Sequence, residues 1–150
     1  MIEGIVAGVI VGVLVALVGH SLSYMFERWR DWEKNRELRR EIATLLLIEA
    51  RQNQHIIAGS IENMISREKA GEQEFDYDPT GFRSDIYRRV FLERWHLLSE
   101  DTVNSVAKYY SHILFDFPKG RVPVSGLKKI FEDAQAAGEE AIVLLERDKN

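Results

Sequence analysis

Apolar and charged positions divide this chain at Glu27. Residues Gly4 to Phe26 form a run of 23 with no Asp, Glu, Lys or Arg, and only Glu3 among the acidic and basic residues comes before it. About 20 predominantly apolar residues suffice for a helix to cross a bilayer. Beyond Glu27 the apolar residues recur in steps of three and four, the spacing of one helix face. The first such series is Leu38, Ile42, Leu45, Leu46, Ile56, Ile57, Ile61, Met64 and Ile65, and the second is Ile86, Val90, Phe91, Leu97 and Leu98. Val103, Val106, Ala107, Tyr110, Ile113, Leu114 and Phe117 make the third and cleanest stripe; Leu127, Ile130, Phe131, Ala134, Ala141, Ile142 and Leu145 make the last. Ser99 is placed to cap the third helix, with Glu100 and Asp101 in a first turn where the helix dipole favours acids.

The pattern predicts an all-α chain. Residues 1–26 read as a transmembrane anchor, 27–37 as a charged helical stalk, and 38–150 as a cytoplasmic four-helix bundle. Its helices are expected at about 38–70, 84–98, 100–117 and 126–147. Pro79, Pro118 and Pro123, with Gly71, Gly81, Gly120 and Gly126, mark the loops between them. No alternating stretch of useful length argues for a strand. An unbroken helix from Gly4 to Glu68 would extend ~98 Å at about 1.5 Å per residue.

Glycines at 4, 8, 12 and 19 favour a span in lipid over a buried helix in water, where each costs about 1 kcal/mol against alanine. A cleaved export signal would begin with a basic stretch, and this chain begins Met-Ile-Glu. Gly4, Gly8, Gly12 and Ala16 recur every fourth residue, and small residues at that spacing let helices approach closely in lipid. Self-association, or docking within a larger membrane complex, is the expected consequence. Arg28, Arg30, Lys34, Arg36, Arg39 and Arg40 follow the span and none precedes it, which puts the N-terminus outside and the domain in the cytoplasm, at the cell (inner) membrane. Tyr24, Trp29 and Trp32 sit where an aromatic belt would meet the lipid headgroups.

Charge and chemistry narrow the picture further. The net charge is −4, from 20 basic and 24 acidic residues, and acids are interleaved with the bases, so nucleic acid is not an expected partner. With no cysteine, a disulfide framework and thiolate metal sites are excluded. Glu93 and His96 form an E-x-x-H, the spacing that aims a carboxylate and an imidazole from one helix at one metal. A di-metal bundle needs two such motifs plus further glutamates. Glu49 and His112 are the available supplements, which makes this a weak candidate. Asp76 and Asp78 have the first spacing of a calcium loop but lack its glycine and distal glutamate. Glu49 and Asn53, four apart, put a polar spot on the apolar stripe of the first bundle helix. It reads as either a buried recognition or register contact or a polar flank of the stripe. No cofactor is expected, and no nucleophile or phosphate loop is visible.

The stretches LLLIEARQNQHII, RVFLERWHLL and VAKYYSHILF resemble a group of uncharacterised small prokaryotic membrane proteins. In these a single span precedes a helix reading L-x-x-E-x-x-x-N, and a later helix pair carries a Trp and a Tyr. The matching positions are Leu46, Glu49, Asn53, Trp95 and Tyr110, and the resemblance covers residues 1 to about 117. It implies the same layout and no activity. The resulting expectation is a non-enzymatic membrane scaffold or accessory subunit. Its alternatives are a transmembrane signal relay and a metal-binding bundle enzyme.

Overall fold

The computed structural model describes the backbone of residues 2–79 and 81–150, with side chains from Leu17 onward except Thr80. The protein is mostly helical, in the order α1 (Ile2–Lys69), β1 (Glu74–Tyr77), a π-helical turn (Tyr87–Phe91), α2 (Leu92–Arg94) and a 3-10 turn (Trp95–Leu97). There follow α3 (Glu100–Ser111), a second π-helical turn (His112–Asp116), β2 (Gly120–Pro123) and α4 (Val124–Lys149). The chain divides into two compact units, Met1–Glu37 and Leu38–Asn150.

In the first unit, Tyr24, Trp29 and Trp32 are exposed on α1, as are Leu22, Met25 and Phe26. Leu22, Met25, Phe26 and Trp29 follow one another at steps of three, one and three and line a shallow hollow with no polar wall. The Arg28 guanidinium lies 5.5 Å from the Tyr24 ring and that of Arg36 lies 5.6 Å from Trp32. Among the described residues, no helix is long and apolar enough to cross a membrane. The packing stripe expected at Gly4, Gly8, Gly12 and Ala16 lies outside the residues whose side chains are described.

The second unit is built on the apolar stripes. On α1 the buried positions are Ile42, Ala43, Leu46, Leu47, Ala50, Ile57 and Met64; on α4 they are Val124, Leu127, Phe131, Ala134, Ala137, Ala141 and Leu145. Both series keep one face inward at helical spacing. Arg40 donates to the Asn150 carbonyl, Gln54 to that of Gln135, and Lys128 to the Glu68 carboxylate. These pairings run in opposite chain directions, so α4 lies antiparallel to the Leu38–Lys69 portion of α1. Gly138 is a point of close approach in this packing. A Cβ there would overlap the Gln54 amide and come within 2.7 Å of the Tyr109 ring.

Helix ends follow local chemistry. Ser99 caps α3, its hydroxyl accepting from the Thr102 N–H at 3.4 Å. The C-terminus of α1 closes with the Gly71 N–H on the Glu68 carbonyl and the Glu72 N–H on the Arg67 carbonyl. That closure needs left-handed backbone just beyond the residue that caps the helix, Ala70, and Gly71 supplies it with φ of 80°.

The helix expected at 84–98 is divided into π, α and 3-10 turns, and two strands form where loops were expected. The acidic stretch after Gly71, read as a loop, contains β1, paired antiparallel with β2 in the register Glu74–Pro123, Phe75–Val122, Asp76–Arg121 and Tyr77–Gly120. Phe75, Tyr77 and Val122 turn inward while Glu74, Asp76 and Arg121 stay exposed. Tyr77 meets Phe131 edge-on at 5.7 Å, and Phe117 packs on both Phe82 and Phe131 at under 5 Å between centroids. This aromatic cluster ties the two strands to α4. The Arg121 guanidinium holds the Glu74 carboxylate at 2.6 Å across the pair.

Candidate functional site

Glu49 and Asn53 occupy the inward face of α1, in phase with Leu46 and Ile57, and both are buried, Glu49 at 2% and Asn53 at 0% exposure. A buried charge is costly unless hydrogen-bonded. The Glu49 carboxylate accepts from the Ile86 N–H at 2.8 Å, the Tyr87 N–H at 3.1 Å and the Tyr110 hydroxyl at 2.6 Å. Two of these donors are backbone groups at the start of the helical segment that follows Pro79. The carboxylate thus satisfies N–H groups left without intrahelical partners and lies where the helix dipole favours a negative charge. One turn further along, Asn53 accepts from the Arg83 N–H at 2.8 Å and donates its amide to the Arg83 carbonyl at 2.7 Å. Its side chain therefore mimics a strand neighbour for one residue of the incoming chain.

The two residues hold backbone positions 83–87 against α1, and aromatic rings close over the contact. Tyr87 stacks on Tyr110 with centroids 4.2 Å apart and planes 8° from parallel, and on Phe91 at 4.9 Å. The neighbouring Tyr109 donates its hydroxyl to the Ala50 carbonyl at 3.3 Å. Burial pushes the Tyr110 phenol far above its usual range, and the bond to Glu49 and its negative charge add to the shift. Burial raises Tyr109 as well, again with help from Glu49, and burial alone raises Tyr87. The Tyr109 and Tyr110 phenols, held neutral here, act as hydrogen-bond donors. The arrangement joins three helical segments through one carboxylate.

The remaining candidates lie apart from this contact. Glu93 and His96 are both exposed, at α2 and in the 3-10 turn after it. His112 pairs instead with Asp116 at 2.5 Å within its own helical turn. Among the described residues, no three His, Asp or Glu side chains come together in a way that could hold a metal ion. Asp76 faces Arg121 in the strand register, and Asp78 lies 3.8 Å from the Lys119 amine.

The chain matches no protein-family model, no curated protein and no solved structure. The structure itself defines the second unit as a helical bundle with a two-stranded clasp, organised by a buried carboxylate. Of the positions that carried the layout resemblance, Glu49 and Tyr110 meet directly, Asn53 lies beside them, and Trp95 is exposed. The roles of Ile86, Tyr87 and Arg83 are carried by their backbones, so no side-chain pattern could have singled them out. Tyr110 stood on the third apolar stripe with no mark of its bond to Glu49.

Proposed function

We propose that this protein is a non-enzymatic, single-pass membrane scaffold or accessory subunit. The uncharged run anchors it, the N-terminus faces outward and the bundle sits in the cytoplasm. It associates with itself or with a larger membrane complex through the Gly4, Gly8, Gly12 and Ala16 face, and the bundle presents a rigid surface to its partners. The observation that carries the reading is the uncharged stretch from Gly4 to Phe26, followed by six basic residues within 14 positions and preceded by none. Tyr24, Phe26, Trp29 and Trp32, exposed on α1, are aromatic side chains of the kind that gathers at a lipid headgroup layer. The dense packing around Glu49 supports a binding role over catalysis, because its polar atoms are committed to one another.

Extraction of native membranes with alkaline carbonate, combined with an export-dependent reporter fused after Asn150, tests anchoring and orientation together. The chain should stay in the pellet and the reporter should be inactive. Release into the supernatant refutes the anchor, and an active reporter refutes the orientation. Gly8→Ile should weaken crosslinking between copies in the membrane; unchanged crosslinking removes the small-residue face from the reading.

A further inference from the structure

The helical segment after Tyr87 changes its winding twice. It is wide through Phe91, then α-helical, until Arg94 leaves helical geometry at φ −128°, ψ 16° and the chain tightens through Leu97. In one continuous α-helix Trp95 would fall four residues after Phe91 and three before Leu98, on the same face as both. Phe91 and Leu98 are buried, yet Trp95 is 53% exposed and Leu92 58%. The break at Arg94 thus accompanies a large aromatic facing out of the core its spacing would have put it in. Leu92, Glu93, Arg94, Trp95 and His96 form five consecutive exposed residues. Arg88 and Arg89 are exposed beside them, and none of the three arginines has an ion-pair partner among the described residues.

The location of this patch is informative. Arg39 donates from Nε to the Leu97 carbonyl at 2.7 Å, and Arg40 reaches the Asn150 carbonyl at 3.0 Å. The Trp95 end of the patch therefore lies at the end of the bundle where Leu38 begins, while Arg88 and Arg89, next to Tyr87, sit nearer the level of Glu49. The patch has three arginines against one glutamate between Tyr87 and Leu98, in a unit that is net acidic. Tryptophan with an apolar body and a polar edge suits a headgroup layer, and arginine stems lie along apolar surface with the guanidinium at the phosphates.

We propose that Leu92 and Trp95, with Arg88, Arg89 and Arg94, form a docking face for an anionic lipid surface. The face holds the bundle against the membrane that anchors it. This rests on the membrane-anchored reading above, and the test separates the two. Trp29, Trp32 and Trp95 are the three tryptophans of the chain. With Trp29→Phe and Trp32→Phe in the full chain, Trp95 becomes the reporter.

The protein is incorporated into phosphatidylcholine vesicles with or without phosphatidylglycerol, both with brominated acyl chains. Flotation is scored in parallel. Trp95 emission should be quenched and blue-shifted in the anionic vesicles and several-fold less so in the neutral ones. Arg88→Gln, Arg89→Gln and Arg94→Gln together should abolish that difference, each arginine near an anionic surface being worth roughly fivefold in affinity. Flotation without quenching of Trp95 in either vesicle overturns the docking face and leaves the anchor standing. Quenching that ignores lipid charge and the three substitutions overturns the anionic lipid as its occupant. Shielding that grows with the protein-to-lipid ratio assigns the face to a second copy and overturns the proposal. A chain that does not float removes the anchor and the proposal with it.

Discussion

Replacing Glu49 with alanine leaves three donors without an acceptor: the part-buried Ile86 and Tyr87 N–H groups and the buried Tyr110 hydroxyl. A buried donor stripped of its partner costs about 1–3 kcal/mol, and a water entering the vacated volume recovers part of that. The expected loss for Glu49→Ala is therefore about 3–6 kcal/mol, a large share of the roughly 5–15 kcal/mol that holds a typical domain together. Tyr110→Phe removes one bond to a charged acceptor and should cost about 1.5–3 kcal/mol. Because both changes act on the same bond, the double variant should fall short of the sum by at least about 1 kcal/mol. Glu49→Gln is no gentle substitute, since its NH2 group must face one of the three donors. Urea unfolding in detergent micelles of the full chain carrying Trp29→Phe and Trp32→Phe, followed by Trp95 fluorescence and the near-UV tyrosine signal, measures the parent, the two single variants and the double variant. Hydrogen exchange at Ile86 and Tyr87 should accelerate in Glu49→Ala before exchange on α4 does. A Glu49→Ala protein within about 1 kcal/mol of the parent would refute the clamp, as would strict additivity with Tyr110→Phe.

Asn53→Ala should release the Arg83 N–H and carbonyl together. Its expected cost is about 2–4 kcal/mol, with exchange at Arg83 as the local readout. Gly138→Ala places a methyl against Gln54 and the Tyr109 ring, and overpacking of this kind costs about 1–3 kcal/mol. Adding Gln54→Ala should restore part of the loss, and a melting curve shows whether it does. Burial, aided by Asp78, pushes the Tyr77 phenol up to about 12, and Tyr109 and Tyr110 move in the same direction. A phenol whose folded-state pKa is raised stabilises fully below its unfolded value of about 10 and loses that contribution as pH rises through the folded one. Stability should therefore decline from about pH 10 upward, and Tyr77→Phe should make the decline between about pH 10 and 12 shallower, the remainder belonging to Tyr109 and Tyr110. Equal unfolding midpoints at pH 9 and pH 11, at about one unit either side of the free phenol, would contradict this.

Much of the helical framework was legible along the chain. The stripes at Ile42–Met64 and Leu127–Leu145 put their residues on one face because helical winding is a property of neighbours. Ser99 and Gly71 act on groups within a few residues of themselves. The uncharged run and the basic residues behind it are likewise statements about contiguous sequence. The strands were not legible: Phe75 and Tyr77 alternate with Glu74 and Asp76, and Val122 adjoins Arg121, but four residues are too few to separate a strand from a loop. Their pairing joins positions more than 40 residues apart. For Glu49 and Asn53 the helix phase placed both on the stripe and left burial open. Only the tertiary structure brings the backbone of residues 83–87 to them, and Tyr110 from α3. The same holds for Trp95, whose spacing points inward and whose backbone, broken at Arg94, points it out. Local winding follows from each residue and its near neighbours, whereas a buried carboxylate becomes tolerable only when donors from distant segments arrive together, and that depends on the whole bundle closing.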